Sequence, residues 1–346
     1  VTKKIINRKR EHLKIVHNQD INFKETSAGF ENYAFIHNAL PEIDIEDVNI
    51  QTTFLGYKLQ SPMMICSMSG GEEESADLNK DLAIAANRSK IALALGSIRP
   101  ALKSREAIKS YAVARENAPD IPIIANIGAT QLIKDFNSSK LLKLLKNIRV
   151  DAISIHLNPL QEALQPEGEP HFRGVSRAIE ILRETLPYPV IVKEVGFGFS
   201  TDVIRRLQKI GIQWIDIAGA GGTSWSRIEH LRIENKINRN VAEQFFEWGI
   251  PTTESIVQAV QVKRMNIIAS GGINDGLKFA KAIALGARLA GAAMPFLRMR
   301  NSNGIDGLVD FIKVYSDTLR ISMFCTGCRN LNEFRGNSSV LSYRKS

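Results

Sequence analysis

The chain has 346 residues, 44% of them hydrophobic and 23% charged, enough for a sizeable core in one large domain or two ordinary ones. Three cysteines (Cys66, Cys325 and Cys328) are too few for a disulfide scaffold, and no apolar run reaches the roughly 18–20 residues of a membrane span. The formal charge of +9 admits nucleic acid, an acidic membrane surface or an anionic metabolite as partner.

The N-terminus is crowded with Lys3, Lys4, Arg8, Lys9, Arg10 and Lys14 against a single Glu11. A solvated basic tail is the plain reading and a phosphate-binding flap the sharper one. No apolar leader segment is visible, and with so few cysteines a cytoplasmic protein is expected. Residues 1–60 are expected to form a helix and a lid or plug, with an acidic loop over 41–49. Beyond them, short runs rich in Ile, Val and Ala recur at 63–68, 91–95, 122–126, 151–156, 190–194, 214–218, 267–270 and 289–293. They alternate little, which suits strands buried on both faces of a parallel sheet. Amphipathic stretches separate them at 75–89, 104–118, 139–147, 173–185, 200–211 and 275–286, with a last one at 305–324, and several open on Ser or Asp as a plausible N-cap. Eight strand–helix units are the count of a (β/α)₈ barrel. The predicted architecture is α/β: a single (β/α)8 TIM barrel over 61–346, with an N-terminal extension over 1–60 packed on it as a substrate flap. Two connections, 158–172 and 219–253, are long. Structureless loops above about 12–15 residues are usually functional or disordered, and the aromatic and charged residues along both favour function.

The carboxyl ends of barrel strands form the active face. Here they read Ser67-Met68-Ser69, Ser97-Ile98-Arg99, Asn126-Ile127-Gly128, His156-Leu157-Asn158-Pro159-Leu160-Gln161-Glu162, Lys193-Glu194, Gly219 to Ser224, Ser270-Gly271-Gly272 and Ala293-Met294. Turn chemistry explains one such Gly- or Ser-rich end, but not so many on one rim. No dinucleotide fingerprint is present, because Thr201 and Ser224 stand where its last glycine belongs. The stretch 271–278 departs from a P-loop, because Leu277 separates Gly276 from Lys278. What remains is backbone that can approach a ligand closely. Gly271-Gly272 and Ala293-Met294 stand where barrels hold a phosphate against helix N-termini, with Thr223 and Ser224 as hydroxyl donors.

Lys193 interrupts the apolar run 190–195, and lysine is seldom fully buried unless paired. An ion pair with Glu194 or a neighbour is the plain alternative. Adjacent strand residues face opposite ways, so one of the two faces the barrel mouth. A lysine beside the N1–C2 carbonyl of a flavin would stabilise charge on the reduced ring. Glu162 with few neighbouring acids suits Mg²⁺ shared with substrate phosphates, although a surface carboxylate at a helix start has the same spacing. His156 alone reads equally as a satisfied core histidine. Mg²⁺, Arg99 and the basic N-terminus together suit a diphosphate. Cys325-Thr326-Gly327-Cys328 follows a helix instead of opening one, and no second pair completes a zinc site, so it is read as incidental.

These motifs, with the opening stretch Arg8 to Leu13, resemble the type 2 isopentenyl diphosphate isomerases from about Arg8 to about Asn330. The resemblance implies an FMN-dependent barrel with Mg²⁺ and a reductant such as NADPH. It also implies the interconversion of isopentenyl and dimethylallyl diphosphates, in isoprenoid biosynthesis, without net redox change. It puts Ser67, Met68, Ser69, Ser97, Asn126, Lys193 and Thr223 on FMN, and Gly271, Gly272, Ala293 and Met294 on its phosphate. Arg8, Lys9, Ser97, Arg99, His156 and Gln161 would line the substrate, Glu162 would bind the metal, and Lys193, Gln161 and His156 would serve catalysis. Tetramers or octamers are common in that family. Ser69 replaces the usual Thr, Ile98 stands where a smaller or amide residue is commoner, and Cys325 and Cys328 fall outside the pattern. An FMN-dependent α-hydroxy-acid oxidase or dehydrogenase is the nearest alternative; Arg99 and His156 would grip its carboxylate, but the basic N-terminus would be unexplained. A nucleic-acid partner is not expected, because the basic residues are not interleaved with aromatics on any recognisable module.

Overall fold

The computed structural model describes residues 11, 12, 15, 19–68, 73–133 and 136–344. Twelve strands follow in chain order among them. β1 (Tyr33–Phe35) and the hairpin β2 (Thr52–Phe54) and β3 (Tyr57–Leu59) precede the barrel. The barrel strands are β4 (Met63–Ile65), β5 (Ala92–Ser97), β6 (Ile123–Gly128), β7 (Ala152–His156), β8 (Val190–Lys193), β9 (Trp214–Asp216), β10 (Asn266–Ala269) and β11 (Leu289–Ala292). They pair in parallel in that order, and β11 closes on β4. β12 (Leu341–Tyr343) returns to pair antiparallel with β1. All eight expected strands are present, and so is the expected (β/α)₈ barrel.

The intervening helices start where the sequence offers a cap. Ser104, Asn137, Ser200 and Asp275 each accept a hydrogen bond from the backbone N–H three residues on. The helix Met294–Phe324 is interrupted at Gly304 (φ 64°, ψ −155°), so the stretch expected over 305–324 begins just past the break. Both long connections carry short helices: Pro159–Leu164 in the first, Trp225–His230 and Lys236–Glu243 in the second. They are therefore ordered insertions, not structureless loops. No helix among the described residues is long and apolar enough to cross a membrane.

Side-chain parity divides the core into two shells. Ile123, Ala125, Ile153, Ile155, Val190, Val192 and Ile215 point outward to the helices. Ile124, Ala152 and Ile191 point into the barrel, with Trp214 packed against them. With a period of two, Asn126, Ser154, His156, Lys193 and Asp216 must then point inward as well. The barrel's amino end is filled by the hairpin: Phe54 and Leu59 join the inner cluster, and Phe54 meets Trp214 edge-on at 4.9 Å. The carboxyl end is covered by the N-terminal extension, where Ser224 N donates to Ile21 O, Phe23 N to Gly222 O and Thr253 N to Ala28 O.

Candidate active site at the carboxyl ends of the strands

A cavity of about 360 Å³ opens at this end, within the roughly 300–1,000 Å³ usual for small-molecule and cofactor sites. The structure brings fourteen of the expected residues to it: Ser67, Met68, Ser97, Arg99, Asn126, His156, Gln161, Glu162, Lys193, Thr223, Gly271, Gly272, Ala293 and Met294. Arg8, Lys9 and Ser69 lie outside the described residues. The order of strands around the barrel puts β10 opposite β6 and β11 opposite β7. The glycine loops therefore face the Asn126–Glu162 side across the cavity.

At the glycine side two loops touch backbone to backbone. A Cβ on Gly222 would lie 2.5 Å from Gly272 N, and one on Gly272 would lie 2.8 Å from Gly221 O. Gly271 and Gly272 have φ of 98° and 68°, which L side chains rarely adopt. The helix beginning at Met294 presents its N-terminus beside them. Exposed backbone amides and a helix start are what a phosphate monoester needs. Nearby, Ser67 Oγ is buried without a hydrogen-bond partner among the described residues, and a buried orphan hydroxyl on a cavity wall fits a ligand bearing carbonyl and ring-nitrogen groups. These residues fit FMN.

Lys193 and Glu194 do not pair through their side chains. Lys193 Nζ donates to Glu194 O at 2.5 Å and lies 3.6 Å from Asp216 Oδ2. Asp216 in turn accepts from Ser270 Oγ at 2.5 Å. Glu194 turns the other way, and its Oε2 accepts from the backbone N–H groups of Val195, Gly196 and Phe197 at 2.5–2.7 Å. Burial pushes its carboxyl up to about 7, against those donors and Lys193, which favour the carboxylate. Glu194 thus shapes the turn that carries Val195 and Gly196 into the cavity wall. Burial, then Asp216, raises the Cys66 thiol well above its usual range, which makes it inert.

The opposite side is a network of amides and carboxylates. His156 Nδ1 lies 3.0 Å from Asn126 Oδ1, an acceptor that puts the ring proton on Nδ1. Asn158 Nδ2 donates to Gln161 Oε1 at 3.0 Å and to Glu162 Oε1 at 3.1 Å. Gln161 Nε2 donates to Glu229 Oε1 at 3.0 Å, so both ends of the Gln161 amide are held. Glu162 Oε2 accepts from Gln165 Nε2 at 2.6 Å and from the Glu169 backbone at 2.8 Å. Asn158 Oδ1 is buried and has no hydrogen-bond partner among the described residues. No group of three His, Cys, Asp or Glu among the described residues makes a metal cage. One buried carboxylate beside an amide oxygen fits a cation that brings phosphate oxygens and water as its other ligands. Arg99 Nη2 meets Glu169 Oε2 at 3.2 Å.

Sequence reasoning put Asn158 on the active rim without a role, and missed Glu229, Asp216 and His12 as site residues. His12 Nε2 sits 3.1 Å from Glu229 Oε1, and its ring meets Trp225 edge-on at 5.2 Å. Burial would raise Glu229, but His12, Gln161 and Arg232 outweigh it and hold the carboxyl at about 2, against 4.5 for an unperturbed glutamate. Glu247 is also held at about 2, by Arg227 and by the N–H groups of Lys24, Glu25 and Thr26 against its own partial burial. Both folded values are depressed, so the stabilisation is complete above pH 4.5 and lost as pH falls toward 2. Thermal melts should show a midpoint that drops as pH falls through that acid window. Glu229→Gln and Glu247→Gln should each flatten the drop.

Comparison with known proteins followed the same lines. Residues 2–121 and 156–341 match the FMN-dependent dehydrogenase family. The chain is 41% identical over 334 residues to an isopentenyl-diphosphate delta-isomerase of Nostoc sp., covering 96% of this chain and 95% of that one. It is 43% identical over 330 residues to the protein of the same name from Rickettsia peacockii, covering 95% of each. Among solved structures, a lactate oxidase of Pediococcus acidilactici superposes with a TM-score of 0.72 at 16% identity, over 98% of this chain and 94% of that one. A flavocytochrome b2 variant gives a TM-score of 0.69 at 17% identity, over 96% of this chain and 83% of the other. At such identities these two share the fold alone.

Proposed function

The chain belongs to the isopentenyl-diphosphate delta-isomerase family and to the FMN-dependent dehydrogenase family, and from that premise we propose that it interconverts isopentenyl and dimethylallyl diphosphates on a flavin at the barrel mouth. The observation that carries this reading is a single cavity with a glycine cradle on one side and Arg99, Gln161 and Glu162 on the other. One end suits the phosphate of FMN and the other a diphosphate with its cation.

Moving the double bond requires a proton on the terminal carbon and loss of one from the carbon two places along, with no net redox change. When bound, reduced FMN supplies the proton donor and acceptor that ordinary side chains provide poorly at an alkene carbon. Lys193, held by Asp216, favours negative charge on the cofactor from inside the barrel. Ser67, Met68, Ser97, Asn126 and Thr223 line the cofactor wall, and Gly271, Gly272, Ala293 and Met294 its phosphate end. Arg99 and His156 face the diphosphate, as do Arg8 and Lys9 in this reading. Glu162 holds Mg²⁺ between protein and phosphates. Gln161, clamped by Asn158 and Glu229, orients the olefin. NADPH is the reductant that keeps the flavin reduced. Three free cysteines support a reducing, cytoplasmic setting. The exposed apolar side chains Ile237, Val241 and Trp248 support assembly with further copies, and of the N-terminal extension it is the part around residues 21–28, bonded to the carboxyl-end loops, that acts as the flap.

The test is the absorption spectrum of the purified protein. A flavin band that bleaches with NADPH without oxygen, followed by dimethylallyl diphosphate formation with Mg²⁺, is the expected result. Glu162→Gln should then need about tenfold more Mg²⁺ for half-maximal rate; unchanged metal dependence would reassign the cation. Oxygen consumption with lactate or glycolate, and no isomerisation, would replace this reading by the oxidase one.

A further inference from the structure

Arg232 follows the helix Trp225–His230 and its side chain is only 7% exposed. Its guanidinium meets three carboxylates from three separate segments: Nε to Glu11 at 3.0 Å, Nη1 to Glu229 at 2.7 Å and Nη2 to Glu167 at 2.6 Å. A planar fork of five donors can serve three acceptors in different directions, which a lysine ammonium on a flexible stem does less well. All three carboxylates are connected to the cavity. Glu11 precedes His12, a cavity residue that stands against Trp225 and Glu229. Glu229 receives Gln161 Nε2, and Gln161 lines the cavity. Glu167 belongs to the loop whose next residues hold Glu162 and Arg99, through the backbone N–H and the side chain of Glu169. Arg232 itself does not line the cavity.

We propose that Arg232 is a positioning residue, a clasp that holds Glu11 and with it His12 at the cavity and orients Gln161 through Glu229. The ionisable groups facing Glu229 are Arg232 and His12, with the neutral Gln161 amide beside them. Without Arg232, Glu229 is left wholly buried against His12 and an amide, Glu11 loses its guanidinium partner, and the 165–169 loop loses its tie to the segment after the helix Trp225–His230.

The turnover half of this inference rests on the isomerase reading; the clasp does not, so the experiment has two parts on FMN-loaded protein. In the first, hydrogen exchange is followed in the peptide carrying Glu11 and His12. Arg232→Met and Glu11→Gln should each speed it by about tenfold, whatever reaction the protein catalyses. In the second, Arg232→Met should raise KM for isopentenyl diphosphate about tenfold and also lower kcat, while Glu11→Gln acts mainly on KM. Arg232→Lys should recover part of kcat and little of KM, because it reaches one carboxylate at a time. An arginine that is merely structural would lower the melting temperature and the active fraction and leave KM alone. If Arg232→Met loses its flavin, the decision passes to Glu11→Gln and Arg232→Lys. Exchange at the wild-type rate overturns the clasp. Faster exchange with wild-type KM and kcat overturns the role in turnover. A wild-type protein that does not isomerise overturns the functional reading and leaves the exchange result standing.

Discussion

Alanine at position 221 is expected to empty the cavity of flavin. Gly221 has φ +104°, and a Cβ there would lie 2.0 Å from Ala28 N and 2.3 Å from Ser27 C. The backbone conformation alone costs about 1–2 kcal/mol for an L side chain. The overlap is with main chain, which no rotamer change relieves, so overpacking adds roughly 1–3 kcal/mol more. The movement that relieves it is separation of residues 27–28 from the loop that also touches Gly272. That opens the glycine cradle, and bound flavin should fall at least about tenfold, read from the ratio of flavin to protein absorbance. Gly56→Ala is the control: its φ is +84°, but nothing lies within 4 Å of the added carbon. It should keep its flavin. Full flavin content in Gly221→Ala would show that the cradle is not where the cofactor's phosphate sits.

The second large effect is at Lys193. Lys193→Met should lower turnover by about 10²–10³-fold, the usual loss when a preorganised charge is removed from a dry site. The flavin's midpoint potential should fall as well, because the anionic reduced ring loses its cation. The same change leaves Asp216, 2% exposed, with the Ser270 hydroxyl donating to it but no cation beside it among the described residues. An uncompensated buried charge costs on the order of 3–5 kcal/mol, so the single variant should also melt earlier. Adding Asp216→Asn should restore much of the melting temperature and none of the turnover. That pair of outcomes separates holding the barrel together from serving the cofactor. Full turnover in Lys193→Met with tightly bound flavin would remove Lys193 from the mechanism.

Much of the barrel was legible because each strand is an apolar run buried on both faces, and because Ser104, Ser200 and Asp275 mark helix starts chemically. The strand pair β1–β12 was not, since its partners lie more than 300 residues apart and neither carries a long hydrophobic pattern. The hairpin at Thr52–Leu59 did leave a signal, a Leu55-Gly56 turn between short apolar segments, with φ positive at both residues. Fourteen expected residues share the cavity because parallel strands deliver their carboxyl ends to one face. Asp216 carried the same cue as Lys193, a charge inside an apolar strand, and went unused. Glu229, on a short helix, and Arg232, just past its end, carried no cue: in a long connection they read as surface charges. Only the tertiary contacts with Glu11, Glu167 and Gln161 reveal their burial.

The pairing of β1 with β12 also orders events during synthesis. Tyr33 must wait for Tyr343, and Asn32 for Arg344, until residues 341–344 have left the ribosome. The hairpin Thr52–Leu59 can be used as soon as the first barrel strands emerge, but the edge formed by residues 33–35 stays unsatisfied until the end. Nascent chains stalled before residue 341 should therefore be cut by protease near residue 33, while released protein resists.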